Sequence, residues 1–360
     1  DWAYDIIVDS NGSAILAGQT LSSNFPTTTG AYDETWNTPG ASDAFITKLA
    51  PSGSTLVFST FFGGNSYDEI NGITADSSGN IYVCGRTGGN PSGLVPFPTT
   101  SGAYQTARVG YYDAFVSKFN SSGSTLIYST LLGGAVTSAS GGFNVANEIA
   151  VDLDESAYVT GTYAPDNPPL TPYFPTTTGA YDTTPNGGYD AFVTKFNWNG
   201  TALVYSTLIG GSGNDHGSGI AVDLVEGDAF ITGSAADSTV DWPTTSGVYD
   251  TTANGVQDTV VTKFNYLGTA LVYSTFIGTG AGEDIVINSG LEAFVTGAAY
   301  SGYPTTSGAY DTSYSSPQDA AVTWLDSTGV TLKNSTYVGG TGAGTGSQGD
   351  RGMGIALDSF

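Results

Sequence analysis

The stretch Tyr189-Asp190-Ala191-Phe192-Val193-Thr194-Lys195-Phe196-Asn197 is followed, after a short turn that contains Gly200, by a second β-rich stretch from Ala202 to Gly211. Versions of the first stretch recur along the chain, and the intervals between their leading aspartates are 70, 77, 68 and 61 residues: Asp43, Asp113, Asp190, Asp258 and Asp319. A period of this length, made of several short strand-like runs, indicates a repeat architecture.

Each repeat predicts four antiparallel strands. A short strand such as residues 6–8 precedes a turn of the type Asp9-Ser10-Asn11-Gly12, and a second strand starts directly afterwards at Ala14. Two β-rich runs joined by so short a turn form a hairpin. The two stretches quoted above supply the third and fourth strands. Because no helical period occurs anywhere, the repeats predict the four-stranded blades of a β-propeller, which bury their faces against one another.

A loop of variable length separates the second and third strands. It closes with an aromatic residue before Pro-Thr-Thr, and then Gly, Ala or Val, and Tyr. The aromatic residue is expected to anchor the loop in the stacked sheets, because proline keeps this segment out of a central strand. These aromatic residues are Phe25, Phe97, Phe174, Trp242 and Tyr303.

The composition excludes some partners. The chain has 360 residues, 8 Lys and Arg, and a formal net charge of −25. Such a charge repels nucleic acid and anionic membranes, and no apolar run is long enough for a membrane span. The aromatic content of 12% separates this chain from disordered acidic tails. Polarity that comes mainly from Ser, Thr, Asn and Gly favours an extracellular or cell-surface protein, with other protein subunits or cell-surface glycans as partners.

The repeats resemble a known family. Residues 219–223, 174–181, 190–195 and 203–207 are similar to the SBBP-type β-propeller repeat, and the resemblance extends over all five units. The blade ends also resemble NHL-type propellers, in which the Gly-Ile-Ala-Val-Asp strand is innermost. The resemblance implies a propeller in extracellular or envelope proteins of bacteria and archaea, and it implies no catalytic residue. The fifth unit departs most, with Trp324 in place of Lys and Asn288 in place of the turn Asp.

The predicted fold is therefore all-β: a single β-propeller array over residues 1–360, with five complete blades plus the inner strand of a further one. The expected blades are about 1–64, 65–134, 135–211, 212–279 and 280–340. Residues 354–360 repeat the first strand. Residues 341–360 are expected either to start a further blade or to be exchanged with another copy, which would link subunits head to tail.

Acidic residues recur eight positions before the turn aspartates, at Asp1, Asp68, Asp215 and Asp350. They are expected in the Gly-rich connections that lead into the inner strands, where the carboxylates would converge near the axis. Oxygen ligands in such loops suit calcium. The alternative is that these residues accept hydrogen bonds from loop N–H groups.

Further residues with distinctive chemistry are expected to be structural. His216 is predicted to be a solvent-exposed loop residue, and Cys84 a buried inert thiol. Lys48, Lys118, Lys195 and Lys263 share one position and are expected to reach nearby carboxylates. The aspartates that start the third strands recur once per blade, whereas a functional site on a ring is expected to break that symmetry.

Two sets of surface residues are candidates for modification or binding. The triplets that begin at Asn11, Asn120, Asn199 and Asn334 are N-glycosylation motifs at or near predicted turns. Trp36, Trp198, Tyr111 and Tyr112 are aromatic residues in or near the loops, suited to stacking on a sugar or another ligand.

We expect a secreted or cell-surface, non-enzymatic β-propeller that acts as a structural, adhesive or assembly module in an S-layer, filament or adhesin. A glycan- or ligand-binding propeller that uses these aromatics is the first alternative. The second is a propeller hydrolase or lyase with paired carboxylates as acid and base. The loop between Gly161 and Phe174 would then form a wall of its cleft.

Overall fold

The computed structural model describes residues 1–37, 40–88, 95–136, 142–166, 171–236, 241–315, 317–340 and 349–358. Within these ranges the chain forms nineteen β-strands and no helix. Across the same ranges, no helix has the length and apolar character needed to cross a membrane. The chain divides into two compact units: residues 1–177 with 194–206 (unit 1), and residues 178–193 with 207–360 (unit 2).

Sheet 1 shows how each repeat folds. Its four strands are antiparallel and lie in chain order: β1 (Trp2–Val8), β2 (Ala14–Thr20), β3 (Asp43–Leu49) and β4 (Leu56–Phe62). The turn between β1 and β2 forms because Oδ1 of Asp9 accepts the N–H groups of Asn11 and Ser13, at 2.9 and 2.8 Å. Gly12 closes the turn with a φ of 81°.

Sheets 2 and 3 repeat this order. Sheet 2 contains β5 (Tyr67–Ala75), β6 (Ile81–Gly88), β7 (Tyr112–Phe119) and β8 (Leu126–Leu132). Sheet 3 contains β9 (Phe143–Val151), β10 (Ala157–Ala164), β11 (Asp190–Phe196) and β12 (Leu203–Ile209), and the boundary between the two units runs through it. The prediction of four-stranded antiparallel sheets is confirmed.

The inner strands are longer than predicted. β5, β9 and β13 each have nine residues, where the sequence indicated about four. Asp68 and Asp215 therefore lie within strands, and so does His216. Their placement in Gly-rich loops was wrong, because backbone pairing with the second strand continues past a β-bulge, as between Ile70 and Gly72.

Unit 2 differs from the prediction at one connection. Its strands are β13 (Asn214–Val222), β14 (Ala229–Ala236), β15 (Gln257–Phe264), β16 (Leu271–Ile287), β17 (Ala293–Ala299), β18 (Asp319–Leu325) and β19 (Leu332–Val338). β16 is continuous: its first half pairs with β15 up to Thr279, and its second half pairs with β17 from Gly280. The predicted break at 279/280 is absent, so β13–β16 (sheet 4) and β16–β19 (sheet 5) form one seven-stranded sheet.

One hydrophobic cluster of unit 1 lies between sheets 1 and 2. Phe62 makes edge-to-face contacts with Phe97 and Phe119, each with ring centroids 4.9 Å apart. Ile73 on β5 is 2% exposed within this cluster, whereas Ile6, at the same position of β1, is 55% exposed. One face of sheet 1 is therefore open to solvent.

The predicted loop anchors are confirmed. Phe97, Phe174, Trp242 and Tyr303 are buried, and Phe25 is half-buried with its ring 4.5 Å from that of Phe45.

At one equivalent position of the inner strands, an acidic residue on one strand is followed by a glycine on the next. Oδ1 of Asp5 accepts the N–H of Ile6, and Oδ2 accepts that of Ile73 on the next strand, at 2.7 and 2.8 Å. Gly72 precedes Ile73, and a Cβ on Gly72 would lie 2.6 Å from Oε1 of Glu148. The inner strands are so close here that a side chain on one requires a glycine on the other.

Unit 2 repeats this arrangement. Oδ1 and Oδ2 of Asp284 accept the N–H groups of Ile285 and Ile355, at 2.7 and 2.9 Å. A Cβ on Gly219 would lie 2.8 Å from Cα of Asp284, and Gly354 precedes Ile355.

The C-terminal segment is not paired as a strand within this chain. Residues 349–358 form no strand, although Gly352 donates its N–H to the carbonyl of Gly297 at 3.2 Å. Residues 341–348 and 359–360 lie outside the described ranges, and the further blade or exchanged strand stays a prediction.

Candidate functional site

The shared lysines have a structural role, as predicted. Lys118 forms ion pairs with Asp76 at 3.2 Å and Glu155 at 2.6 Å, and its Nζ lies 4.7 Å from the centre of the Tyr82 ring. Lys48 and Lys195 form equivalent ion pairs with the turn aspartates Asp9 and Asp152, whereas Lys263 pairs with Asp228 at the end of its turn.

Sheet 5 replaces this lysine without losing the ion pair. Trp324 stacks on Phe294 and donates its indole N–H to Glu292 at 3.2 Å. Lys333 supplies the cation, because it pairs with Glu292 and lies 4.9 Å from the Trp324 ring centre. Asn288 replaces the turn aspartate and accepts the N–H groups of Gly290 and Glu292.

The aspartates that begin the third strands bind the loops that precede them. Asp258 accepts the N–H groups of Asn254 at 3.1 Å and Gly255 at 2.9 Å. Asp43, Asp113, Asp190 and Asp319 accept loop N–H groups in the same way. Their recurrence in each sheet is explained by this structural role.

The candidate calcium ligands also make local contacts. Asp68 and Asp215 are buried, and they accept the N–H groups of Gly64 at 2.8 Å and Gly211 at 2.6 Å. Asp350 accepts the N–H of Gly340, and Asp1 accepts the hydroxyl of Thr20. Within the described ranges, no group of three or more His, Cys, Asp or Glu side chains is arranged to hold a metal ion. Calcium binding stays a prediction.

The four candidate aromatic residues have different surroundings. Trp198 is 62% exposed, whereas Trp36 is half-buried and its indole N–H is buried without a hydrogen-bond partner among the described residues. Tyr111 and Tyr112 pack edge-to-face at 4.9 Å, and the guanidinium of Arg86 lies 5.0 Å from the Tyr112 ring centre. Each of these residues remains a candidate for ligand contact.

The glycosylation motifs are accessible to different degrees. Asn11 and Asn334 are exposed, and Asn120 and Asn199 are half-buried. Asn334 lies near the start of β19, paired with Trp324, shortly after the turn that ends at Thr331. Glycosylation stays a prediction.

Two single residues and one loop complete the predicted set. Cys84 is buried as predicted, and burial raises the pKa of its thiol. His216 is half-buried on β13 with its ring 5.6 Å from that of Tyr189, and burial lowers its pKa. The long loop starts after Ala164 because β10 continues past Gly161, and residues 167–170 lie outside the described ranges.

A cavity of about 360 Å³ lies at the end of sheet 2. Its wall comes from four places: the connection into β5, the end of β6, the loop before β7, and β8. The lining residues are Asn65, Ser66, Thr87, Val95, Pro96, Phe97, Thr106, Ala107, Arg108 and Leu131.

The loop before β7 departs from the repeat at this cavity. In sheet 4, Asp250 accepts the side-chain amide N–H of Asn254 at 2.8 Å, and the same Asp–Asn pair links Asp33 to Asn37 and Asp182 to Asn186. In sheet 2 these positions hold Gln105 and Val109, which cannot form that bond. Gln105 instead donates to the carbonyl of Ala107 at 3.2 Å. The residue between them on the cavity wall is Arg108.

Arg108 is exceptional among the cations. The other seven Lys and Arg side chains form ion pairs, whereas Arg108 forms none with any residue in the described ranges. In a chain with a formal net charge of −25, a cation that lines a cavity and forms no ion pair with the described residues can attract a negatively charged ligand.

Two buried carboxyl groups interact electrostatically with Arg108. Burial raises the pKa of Asp68 to about 7, and Arg108 opposes that rise. Burial also raises the pKa of Asp113 to about 6, opposed by hydrogen bonds from Val109 and Gly110 and by Arg108. Both groups also accept backbone N–H groups: Asp68 accepts that of Gly64, and Asp113 accepts those of Val109 and Gly110.

Sequence reasoning missed Arg108. It selected Trp36, which occupies the equivalent loop position in sheet 1, because an aromatic side chain is easy to recognise. The signal was available in the repeats. Aligning the loops from Gly30, Gly102, Gly179, Gly247 and Gly308 shows that two of them lack the Asp–Asn pair: the second, which carries an arginine, and the fifth, where Ser315 replaces the asparagine.

The family model of the SBBP β-propeller repeat matches residues 57–91, which include β5 and β6. The chain contains an SBBP repeat. The resemblance predicted from the sequence is confirmed over these residues, which include Asn65, Ser66 and Thr87 of the cavity wall. No curated protein matches the sequence.

Solved structures resemble this chain at low identity. A protein of unknown function from Dyadobacter fermentans matches 94% of this chain over 84% of its own, with 13% identity and a TM-score of 0.50. The match to a gluconolactonase from Xanthomonas campestris covers 90% of this chain and 79% of the gluconolactonase, with 13% identity and a TM-score of 0.37. The match to an ulvan lyase covers 92% of this chain and 68% of the lyase, with 12% identity and a TM-score of 0.42. The first is a likeness of fold alone, and the other two are too distant to support an argument.

Proposed function

We propose that this chain is a non-enzymatic β-propeller of a secreted or cell-surface protein, and that it binds a small polar ligand in the cavity of sheet 2. The observation that carries the proposal is Arg108, the cation without an ion pair in the described ranges, at a loop that lacks the Asp–Asn pair and borders a cavity. A departure from symmetry at a cavity favours binding there, and a volume of about 360 Å³ suits a small molecule.

The propeller arrangement belongs to this proposal. The SBBP repeat and the recurring four-stranded antiparallel sheets support it. We propose five blades, in which sheets 1 to 5 are arranged radially. Electron microscopy of the native particle is expected to show radial blades, and a linear stack of sheets would contradict this.

Filling the cavity tests the binding site. Ala107 is exposed on the cavity wall, and Thr252 occupies the equivalent position in sheet 4. Ligand-observed NMR with a panel of small polar compounds is expected to detect a binder of the wild-type protein. Ala107→Trp should abolish its binding and Thr252→Trp should leave it unchanged. A panel without any binder, or equal binding by both variants, would contradict the proposal.

The second candidate function is that of a structural or adhesive assembly module, such as a component of an S-layer, filament or adhesin. It is favoured by β1 of sheet 1, where the large apolar side chains Trp2, Tyr4, Ile6 and Val8 are 48–68% exposed. Exposed apolar side chains that are grouped on one strand favour a protein interface. We propose a second copy of the chain as the partner.

Light scattering tests the assembly. The wild-type protein should associate in a concentration-dependent manner, and Ile6→Lys should give monomers. Ile355 occupies the same repeat position in the C-terminal segment, so Ile355→Lys tests whether that segment takes part. A wild-type protein that stays monomeric at high concentration would exclude this function.

A further inference from the structure

We propose that the ligand of this cavity is a hydroxylated carboxylate of about the size of a sugar acid, bound by its carboxylate to Arg108. This inference rests on the proposed ligand-binding function and adds the chemical class of the ligand.

The charge of the cavity selects a single negative charge. Arg108 is the cation on its wall, and its guanidinium matches a carboxylate by two parallel N–H···O bonds. Asp68 and Asp113 are both fully buried and close enough to interact electrostatically with Arg108. A second negative charge on the ligand would lack a cation and would face these carboxyl groups. Phosphate and sulfate dianions are therefore disfavoured.

A second wall residue, Asn65, favours a ligand that carries a hydroxyl group. Oδ1 of Asn65 is buried and has no hydrogen-bond partner among the described residues, whereas the backbone N–H of Asn65 binds the carbonyl of Val95 at 2.9 Å. An unpaired buried acceptor costs about 1–3 kcal/mol, so a ligand that donates a hydrogen bond here is favoured. Ser66 donates its hydroxyl to the carbonyl of Gly88 at 2.5 Å, which leaves Asn65 as the acceptor to satisfy.

The remaining wall is apolar. Phe97 and Leu131 are 9% and 2% exposed, and Val95 and Pro96 lie beside them on the wall. Such a surface suits the C–H face of a ring. One ligand that combines a carboxylate, hydroxyl groups and a ring with C–H faces is a cyclic sugar acid.

Three probes of similar size separate these features. D-galacturonate has the ring, the hydroxyl groups and the carboxylate; D-galactose lacks the carboxylate; cyclohexanecarboxylate lacks the hydroxyl groups. Isothermal titration calorimetry is expected to rank D-galacturonate first. Inorganic sulfate serves as the test of a generic anion site and is expected to bind more weakly than D-galacturonate.

Variants of the protein assign the contacts. Arg108→Gln should weaken D-galacturonate binding at least about tenfold, since a hydrogen bond to a charged group contributes about 1.5–3 kcal/mol. It should leave the affinity for D-galactose unchanged. Asn65→Ala should weaken both sugars and spare cyclohexanecarboxylate. Arg351→Gln removes the same charge from an exposed residue of unit 2 and is the matched control.

Three results would overturn the ligand class. They are equal affinity for D-galacturonate and D-galactose, sulfate binding as tight as D-galacturonate, and an Arg108→Gln variant that binds D-galacturonate like the wild type. Absence of D-galacturonate binding would overturn it as well. The Ala107→Trp test is independent of these outcomes, because it uses any compound that binds the wild-type cavity. The ligand class and the binding function therefore fail separately.

Discussion

The loop 102–113 of sheet 2 and the loop 247–258 of sheet 4 have the same backbone frame and different side-chain contacts. In both, an aspartate at the start of the third strand accepts two loop N–H groups. The sheet 4 loop is also closed by the bond between Asn254 and Asp250, whereas the sheet 2 loop has Gln105 and Val109 there and directs Arg108 to a cavity. The comparison teaches that the frame is fixed by backbone hydrogen bonds, and that the residues between them are free to take on a function.

The largest expected effect is a pH dependence of stability in sheet 2, which arises from Asp68 on β5 and from Asp113 at the end of the loop. Burial raises the folded-state pKa of Asp68 to about 7 and that of Asp113 to about 6, above the unfolded value of about 3.9. Between the unfolded and the folded pKa, the folded state therefore binds more protons than the unfolded state. The contribution of these two groups to the free energy of unfolding is highest below pH 4 and is lost as the pH rises to 7. Each group contributes a slope of up to about 1.4 kcal/mol per pH unit.

Thermal denaturation between pH 4 and 8 measures this slope. Asp68→Asn and Asp113→Asn should each flatten it. Asp258→Asn is the counterpart in sheet 4, because burial also raises the pKa of the Asp258 carboxyl group. An unchanged slope in both sheet 2 variants would show that these groups do not titrate as described.

Removing a paired cation should cost far more than removing Arg108. Lys118 is 3% exposed and its loss leaves Asp76 without its counter-charge, so Lys118→Met should cost about 3 kcal/mol of unfolding free energy. Arg108→Met should change it by less than about 0.5 kcal/mol. Urea denaturation of both variants measures the difference. A large loss with Arg108→Met would reveal a structural role and weaken the ligand argument.

The aspartates that hold the loops should be needed equally in both sheets. Asp258→Ala leaves the N–H groups of Asn254 and Gly255 without an acceptor, which should cost about 2 kcal/mol. Asp113→Ala should cost at least as much, because Asn144 also donates to this carboxylate, at 3.3 Å. If Asp113→Ala proved neutral while Asp258→Ala did not, the two loops would not share one frame.

The smallest effect is expected from exchanging the variable residues. Asp250→Gln with Asn254→Val removes the charge-assisted bond of the exposed sheet 4 loop and should cost about 1 kcal/mol. The reverse exchange, Gln105→Asp with Val109→Asn, should stabilise sheet 2 by a similar amount. Melting temperatures check both, and equal shifts of the same sign would contradict the comparison.

Much of the fold could be predicted from the sequence because it repeats. The turn aspartates, the lysines that pair with them and the loop anchors recur at fixed offsets, and local hydrogen bonds or burial explain each one. The continuous β16 could not be predicted, because Gly278–Gly282 resembles the Gly-rich connections elsewhere. The residues of the cavity were missed because they come from four separate segments, and their proximity depends on how those segments pack.

The alternation of Asp5, Gly72 and Glu148 in unit 1, and of Gly219, Asp284 and Gly354 in unit 2, restricts how such a gene can grow. Inserting a single repeat would place two carboxylates, or two glycines, side by side, whereas inserting a pair of repeats would preserve the order. Gene duplication in this architecture is therefore expected to add two repeats at a time, although each sheet forms from one repeat.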